Sequence, residues 1–280
     1  MSDFQPIQIN LDEVLRSRAP RHYKYIPRWA VRKLERTIRQ DELNQILVNM
    51  GTKTGVDAAD SALHDLQVQT TLIGTENIPA EGRFIFVSNH PLGGLDGMAL
   101  MSAIGHRYNG NIRFIVNDLL MAVKPLQPIL LPVNKHGRQA RQAATLIEQE
   151  YQGDNQMITF PAGLCSRMGK KGIIHDLEWK KFIVTQAVKS KRDIIPIFFD
   201  AQNSKFFYRM AKWRKRLGIK FNFEMIYLPG EMFKCKGSNF KVHFGSPIPW
   251  NSLDASYPAQ EAQRICDIAY ALKSTDNKKR

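Results

Sequence analysis

Residues 83–107 read RFIFVSNHPLGGLDGMALMSAIGHR, and this stretch decides the fold. Its first six residues are a short β-branched and aromatic run, which predicts a strand. Pro91, Gly93 and Gly94 then punctuate a turn, and the apolar run from Met98 to Met101 predicts a helix over 96–107. The same texture repeats outward. Strands are expected at 67–73, 112–116, 129–133, 156–160, 193–199, 221–227 and 240–244, with helices near 137–152, 178–191, 203–217 and 258–273. Such alternation indicates an α/β fold: a mixed, central β-sheet with helices on its faces. The first eighty residues read as helical. Pro27 starts one helix, with Trp29, Val31, Leu34 and Ile38 at helical spacing, and Gly51 stops a second over 41–50. The expected parse is a basic helical extension over 1–66 and an α/β domain over 67–280.

Composition removes several function classes. A hydrophobic fraction of 43% and a charged fraction of 24% in 280 residues are globular, neither disordered nor fibrous. Cys165, Cys235 and Cys266 form no C-x-x-C pair, so neither a disulfide framework nor a cysteine zinc site is expected, and a reducing compartment is. No stretch is apolar for long enough to span a bilayer, and MSDFQPIQINLDEVL has no signal-peptide pattern. The remaining anomaly is charge: 40 basic against 26 acidic residues give +14. Such a surface expects a polyanion, whether nucleic acid, anionic lipid or a phosphorylated ligand.

The predicted strand 83–88 ends in Asn89-His90-Pro91-Leu92-Gly93-Gly94-Leu95-Asp96. On a regular helix, residues six apart lie about 120° round and about 9 Å along the axis, so His90 and Asp96 could not meet. The two glycines permit a non-helical turn that brings them together. A carboxylate on one imidazole nitrogen fixes the tautomer and frees the other as a base. Spacing alone also fits a turn and a helix cap.

A second segment, FPAGLCSRMGKK over 160–171, is glycine-rich and basic after a strand. It is not a nucleotide-binding P-loop: five residues separate Gly163 from Gly169-Lys170, and Lys171 stands where a hydroxyl is required. Ser166, Arg167, Lys170 and Lys171 can hold a phosphate or carboxylate, or form a solvated basic loop. There is no G-x-S-x-G, H-E-x-x-H, EF-hand or G-x-G-x-x-G motif. His22, His64, His106, His136, His175 and His243 show no ligand spacing, so no metal is expected.

Four segments in order carry a resemblance: Asn89-His90…Asp96, then Leu130-Leu131-Pro132-Val133-Asn134-Lys135, then Phe160-Pro161-Ala162-Gly163…Ser166, then Ile195-Pro196-Ile197. Together they resemble the lysophospholipid (glycerolipid) acyltransferase superfamily, over about residues 70–200 with the sheet continuing to about 250. The resemblance implies His90 as general base and Asp96 as its orienting carboxylate. It also implies Asn134, Lys135, Gly163 and Ser166 as substrate-binding residues, and Arg167, two positions beyond the family Arg, is expected to meet a carboxylate head group bidentately. The departures are informative. The first block is H-x5-D rather than H-x4-D, and Lys135 replaces Arg. In the third block Ala162, Leu164 and Cys165 stand where the family has Glu, Thr and Arg. In the family that Glu-Arg pair helps bind a glycerol-phosphate acceptor. The chain is similar to the bacterial hemolysin-like branch, associated with O-acylation of lyso-ornithine or lyso-glycine lipids. The expected activity is transfer of a fatty acyl group from an acyl carrier protein or coenzyme A thioester to a lyso-aminolipid hydroxyl in bacterial membrane lipid synthesis, without metal or redox cofactor. The alternatives are a 1-acylglycerol-3-phosphate acyltransferase and an inactive lipid- or nucleic-acid-binding protein.

The charge has two concentrations. From Arg16 to Arg39 there are nine basic residues and one acid, and NSKFFYRMAKWRKRLGIK over 203–220 has seven basic residues and none. Phe206, Met210, Trp213 and Leu217 share a helical face with cations beside it, the arrangement of an interfacial helix. Trp29, Phe206, Phe207, Lys212, Trp213, Arg214 and Lys215 are therefore candidate contacts to an anionic membrane surface, which implies a cytoplasmic protein peripheral to the inner face of the cell membrane. The same stripes also fit a core-facing helix, and the charge fits docking of acyl carrier protein or the phosphates of coenzyme A. Nucleic acid is disfavoured, because no zinc finger, RNP strand pair or helix-turn-helix is legible.

Overall fold

The computed structural model describes residues 8–18, 20–133 and 138–275. Five helices come first: α1 (Leu11–Arg18), α2 (Pro20–Tyr23), α3 (Arg28–Thr37), α4 (Gln40–Met50) and α5 (Gly55–Asp65). The alternating part runs β1 (Gln69–Ile73), β2 (Phe84–Ser88), α6 (Leu95–Arg107), β3 (Ile112–Asn117), β4 (Leu130–Val133), α7 (Arg138–Gln152) and β5 (Gln156–Thr159). It continues with a two-strand hairpin, β6 (Arg167–Met168) and β7 (Ile174–His175), then α8 (Phe182–Ser190), β8 (Asp193–Asp200) and α9 (Lys205–Arg216). Last come α10 (Leu228–Lys234), β9 (Asn239–Phe244) and α11 (Pro258–Thr275).

Seven of these strands form one sheet in the order β1-β9-β8-β2-β5-β3-β4. Neighbours are parallel except β8 and β9, so β9 and β1 run against the other five. The mixed α/β architecture is the expected one. In β2, Phe84 and Phe86 enter one apolar cluster while Ile85 and Val87 enter the other. The first cluster gathers α4, α5 and α6 through Ile46, Ala58, Ala62, Leu100 and Ile104, and it runs across the boundary expected at residue 67. The second gathers α7, α8 and α11 through Tyr151, Val184, Ala187, Ile265 and Ala269. Helices on both faces leave the central strands buried throughout, which the period-two split of apolar side chains requires.

One expected element is absent. Residues 221–227 alternate apolar and polar like a strand, yet Phe223–Tyr227 form a 3-10 turn that runs directly into α10. Glu224 within it is fully buried between two arginines, and Pro229 stands in the first turn of α10. An ion-paired carboxylate and a helix-starting proline override the period. Among the described residues, no helix is long and apolar enough to cross a membrane.

The topology places the site. β2 and β5 are neighbours, but the chain leaving β2 goes to α6 on one face and the chain leaving β5 goes to α8 on the other. Two loops that part in this way leave a crevice at the carboxyl ends of the strands.

Candidate active site

His90 leaves the end of β2 and Asp96 stands in the first turn of α6. Between them the chain turns at Gly93, whose φ is +91°. A side chain is excluded there twice over. That φ disfavours L-residues, and a Cβ would sit 2.7 Å from both Cys165 Sγ and Leu228 Cδ1. The turn brings the imidazole back, so His90 Nδ1 lies 2.9 Å from Asp96 Oδ2. The same carboxylate accepts from the backbone N–H of Leu92 at 2.9 Å and Gly93 at 3.3 Å, and its Oδ1 accepts from Gly97 at 3.0 Å. The Phe160 ring, leaving β5, stacks on the imidazole at 3.8 Å between centroids.

Burial is the largest single influence and opposes charging of His90, but the Asp96 carboxylate and the Cys165 sulfur together outweigh it, so the imidazole pKa stands well above the ordinary histidine value. Burial likewise pushes Asp96 up, and the His90 charge with the Leu92 and Gly93 N–H groups holds it below the usual carboxylate range. Opposite shifts in one pair describe an imidazolium–carboxylate couple. Asp96 is fully buried and His90 is 14% exposed, so the pair opens to solvent on the histidine side alone. With Nδ1 held by Asp96, Nε2 is the nitrogen left to exchange a proton with a ligand.

The other expected binding residues separate into groups. Asn134 and Lys135 lie outside the described residues. Gly163 supplies a turn at φ +67°, and its N–H donates to Phe160 O at 2.9 Å, so that N–H is not free for a ligand. Ser166 is buried, and its hydroxyl donates to Asp176 Oδ1 at 2.6 Å rather than into the crevice. Arg167 turns away as well. Its Nη2 pairs with Glu224 Oε1 at 3.0 Å and its Nη1 donates to Cys165 O at 2.8 Å, so the guanidinium expected to meet a head group already meets a buried carboxylate. Sequence reading missed Asp176, Glu224 and Cys165. The first two match no motif, and the binding-loop residues they hold, Ser166 and Arg167, lie 10 and 57 residues away. Cys165 was visible only as a departure from the family pattern.

The basic surface also divides. Phe207 is fully buried with Cys165 and Tyr208, and Arg214 Nε pairs with Glu224 Oε2 at 2.8 Å, so neither is a surface contact. They sit on the inward face of α9, where burial holds both side chains. Phe206, Lys212, Trp213 and Lys215 are exposed on its other face, with Leu217 just beyond the helix. Trp29 on α3 is 69% exposed, as is Phe221. Both α3 and α9 pack on the 223–227 turn, so the exposed rings flank one element. Among the described residues, no group of three or more His, Cys, Asp or Glu side chains is placed to hold a metal ion.

A lyso-glycine lipid O-acyltransferase of Bacteroides thetaiotaomicron is 46% identical over 273 residues, covering 97% of this chain and 100% of that protein. A second, from Phocaeicola vulgatus, is 45% identical over 273 residues, covering 97% and 98%. Among solved structures, the 1-acyl-sn-glycerophosphate acyltransferase PlsC of Thermotoga maritima matches at a TM-score of 0.49 and 14% identity, over 78% of this chain and 81% of that one. The family described as Acyltransferase matches residues 13–277, nearly the whole chain, and the protein belongs to that acyltransferase family.

Proposed function

We propose that this acyltransferase moves a fatty acyl group from a thioester donor to the free hydroxyl of a lyso-lipid built on glycine. The observation that carries the chemistry is the His90–Asp96 pair at the carboxyl end of β2, 2.9 Å apart with only the histidine reaching solvent. The acceptor class rests on two relatives of that activity at 45–46% identity over nearly the full chain.

In this reading the neutral imidazole takes the acceptor hydroxyl proton on Nε2 as the oxygen attacks the thioester carbonyl. Asp96 stabilises the imidazolium that forms, and collapse of the adduct expels the thiolate, which takes a proton back. No covalent acyl-enzyme is required, and no metal or redox group enters the reaction. The donor is an acyl carrier protein or coenzyme A thioester. Because the free pair favours the imidazolium, the base form grows as pH rises through the raised His90 pKa. We further propose that Trp29, Phe206, Trp213 and Phe221, with Lys212 and Lys215, rest on an anionic membrane at the inner face of the cell membrane. Rings in the acyl boundary and cations at head groups would bring the crevice to its lipid.

The test is transfer from a radiolabelled acyl thioester to a lyso-glycine lipid, a lyso-ornithine lipid and lysophosphatidic acid, with His90→Ala as control. Preferred transfer to the glycine lipid, lost in the variant, is expected. Preference for lysophosphatidic acid would make the enzyme a glycerophospholipid acyltransferase and refute the acceptor assignment.

A further inference from the structure

Asp176 precedes α8 and is a buried carboxylate that the reaction above does not use. Its Oδ1 accepts from the His90 backbone N–H at 3.2 Å and from Ser166 Oγ at 2.6 Å, and its Oδ2 accepts from Trp179 Nε1 at 2.9 Å. Its own N–H donates to Tyr270 Oη at 2.8 Å, tying it to α11. The Ser166 N–H in turn donates to His90 O at 2.8 Å. Both backbone polar groups of His90 are therefore held by the chain that follows β5, while its ring is held by Asp96 and Phe160. Two loops that part to opposite faces of the sheet are tied together at the one residue that must not move.

Energetics sharpen the point. Burial pushes the Asp176 pKa up, partly offset by the hydrogen bonds from Ser166, Trp179 and the His90 N–H. Desolvation of a buried carboxylate offsets much of what its hydrogen bonds contribute to stability, although its removal would leave three donors unpaired. What Asp176 supplies is geometry, through three donors drawn from three separate stretches of chain.

We propose that Asp176 and Ser166 are positioning residues for His90, so that the Ser166 hydroxyl orders the histidine's loop instead of binding substrate. This rests on His90 being the base. A misplacement of about 1 Å at a reacting group costs on the order of a hundredfold in rate. The groups that face the His90 ring are Asp96 on α6, Cys165 after β5 and, through the backbone, Asp176 before α8.

The experiment measures kcat and acceptor KM separately for Ser166→Ala, Ser166→Thr, Asp176→Asn and Trp179→Phe, alongside the His90 ring titration by NMR of histidine-labelled protein. Ser166→Ala is expected to lower kcat about tenfold and Asp176→Asn about a hundredfold, with acceptor KM within about twofold of wild type. Ser166→Thr, which keeps the hydroxyl, recovers most of the rate. Asp176→Asn removes a negative charge and lowers the pKa of the His90 ring. A raised acceptor KM at unchanged kcat in Ser166→Ala would return Ser166 to substrate binding and overturn the proposal. So would a lower melting temperature with kcat and the His90 titration unmoved, the signature of a merely structural contact. If Asp176→Asn does not fold, Ser166→Ala and Trp179→Phe decide. If wild type transfers to none of the acceptors, the functional reading fails, while the NMR titration still tests the positioning.

Discussion

The two ends of the parallel strands bury polar groups with equal care and to opposite purpose. At the amino ends, Arg192 is fully buried and donates to the carbonyls of Tyr151 and Asn155, each at 2.8 Å, and of Gly153 at 2.5 Å. Beside it, Gln156 accepts from Phe84 N–H at 2.8 Å and donates to Gly82 O at 2.8 Å. Burial, followed by the charge of Arg83, brings the Arg192 pKa down only to about 10, so this end stays charged and inert near neutrality. At the carboxyl ends, the acceptors are carboxylates, and one of their donors is an imidazole that reaches solvent. Buried hydrogen-bonded polarity is therefore no mark of chemistry by itself. The mark is a pair whose members are pushed in opposite directions and which reaches solvent on one side only.

The largest effect that can break this contrast is at His90. His90→Gln keeps a donor for Asp96, so the fold should persist by circular dichroism while kcat falls about a thousandfold or more. Asp96→Asn comes next, with kcat lowered about a hundredfold or more because the orienting charge is gone. The opposite end predicts the reverse pattern. Arg192→Met strips donors from several buried carbonyls and should cost about 2–4 kcal/mol in chemical denaturation, while kcat per folded molecule stays near wild type. A smaller effect lies on the surface. Replacing Phe206 and Trp213 by serine should weaken sedimentation with anionic liposomes several-fold, with kcat on detergent-dispersed acceptor unchanged.

The contrast also fixes the sign of a pH effect on stability. The folded His90 pKa is raised, so its ion pair contributes its full stabilisation below the unfolded value of about 6.5 and loses it as pH rises through the folded value. In the proposed mechanism the base is the neutral imidazole, so the rate should grow over the same range. Thermal melts of wild type should therefore lose stability as the rate rises, and Asp96→Asn should show much less of this opposition.

The fold and the His90–Asp96 pair were legible because their causes are local. β2, its glycine turn and α6 are contiguous, and apolar period and turn chemistry report on neighbours. The binding residues inferred from the 160–171 segment were read less well for the same reason. Ser166 and Arg167 present donors and charge, but where these point is decided by Asp176 and Glu224, whose claim on them is made through space. The 221–227 segment failed likewise: its alternation is real, and burial of Glu224 between Arg167 and Arg214 took it out of the sheet. On α9 the sequence grouped Phe206 and Trp213 on one helical face, which the structure exposes, but a run of cations and rings could not show that Phe207 and Arg214 turn inward.

The central claim is that His90, held charged by Asp96, must lose its proton to act as the base. The most direct measurement is kcat/KM for acyl transfer to the lyso-glycine lipid as a function of pH, in wild type and in Asp96→Asn. The wild-type rate should climb along a limb set well above the ordinary histidine value, and the variant's limb should fall back toward that value. A rate independent of pH through that range, or a limb that Asp96→Asn leaves in place, would contradict the assignment of His90 as the base.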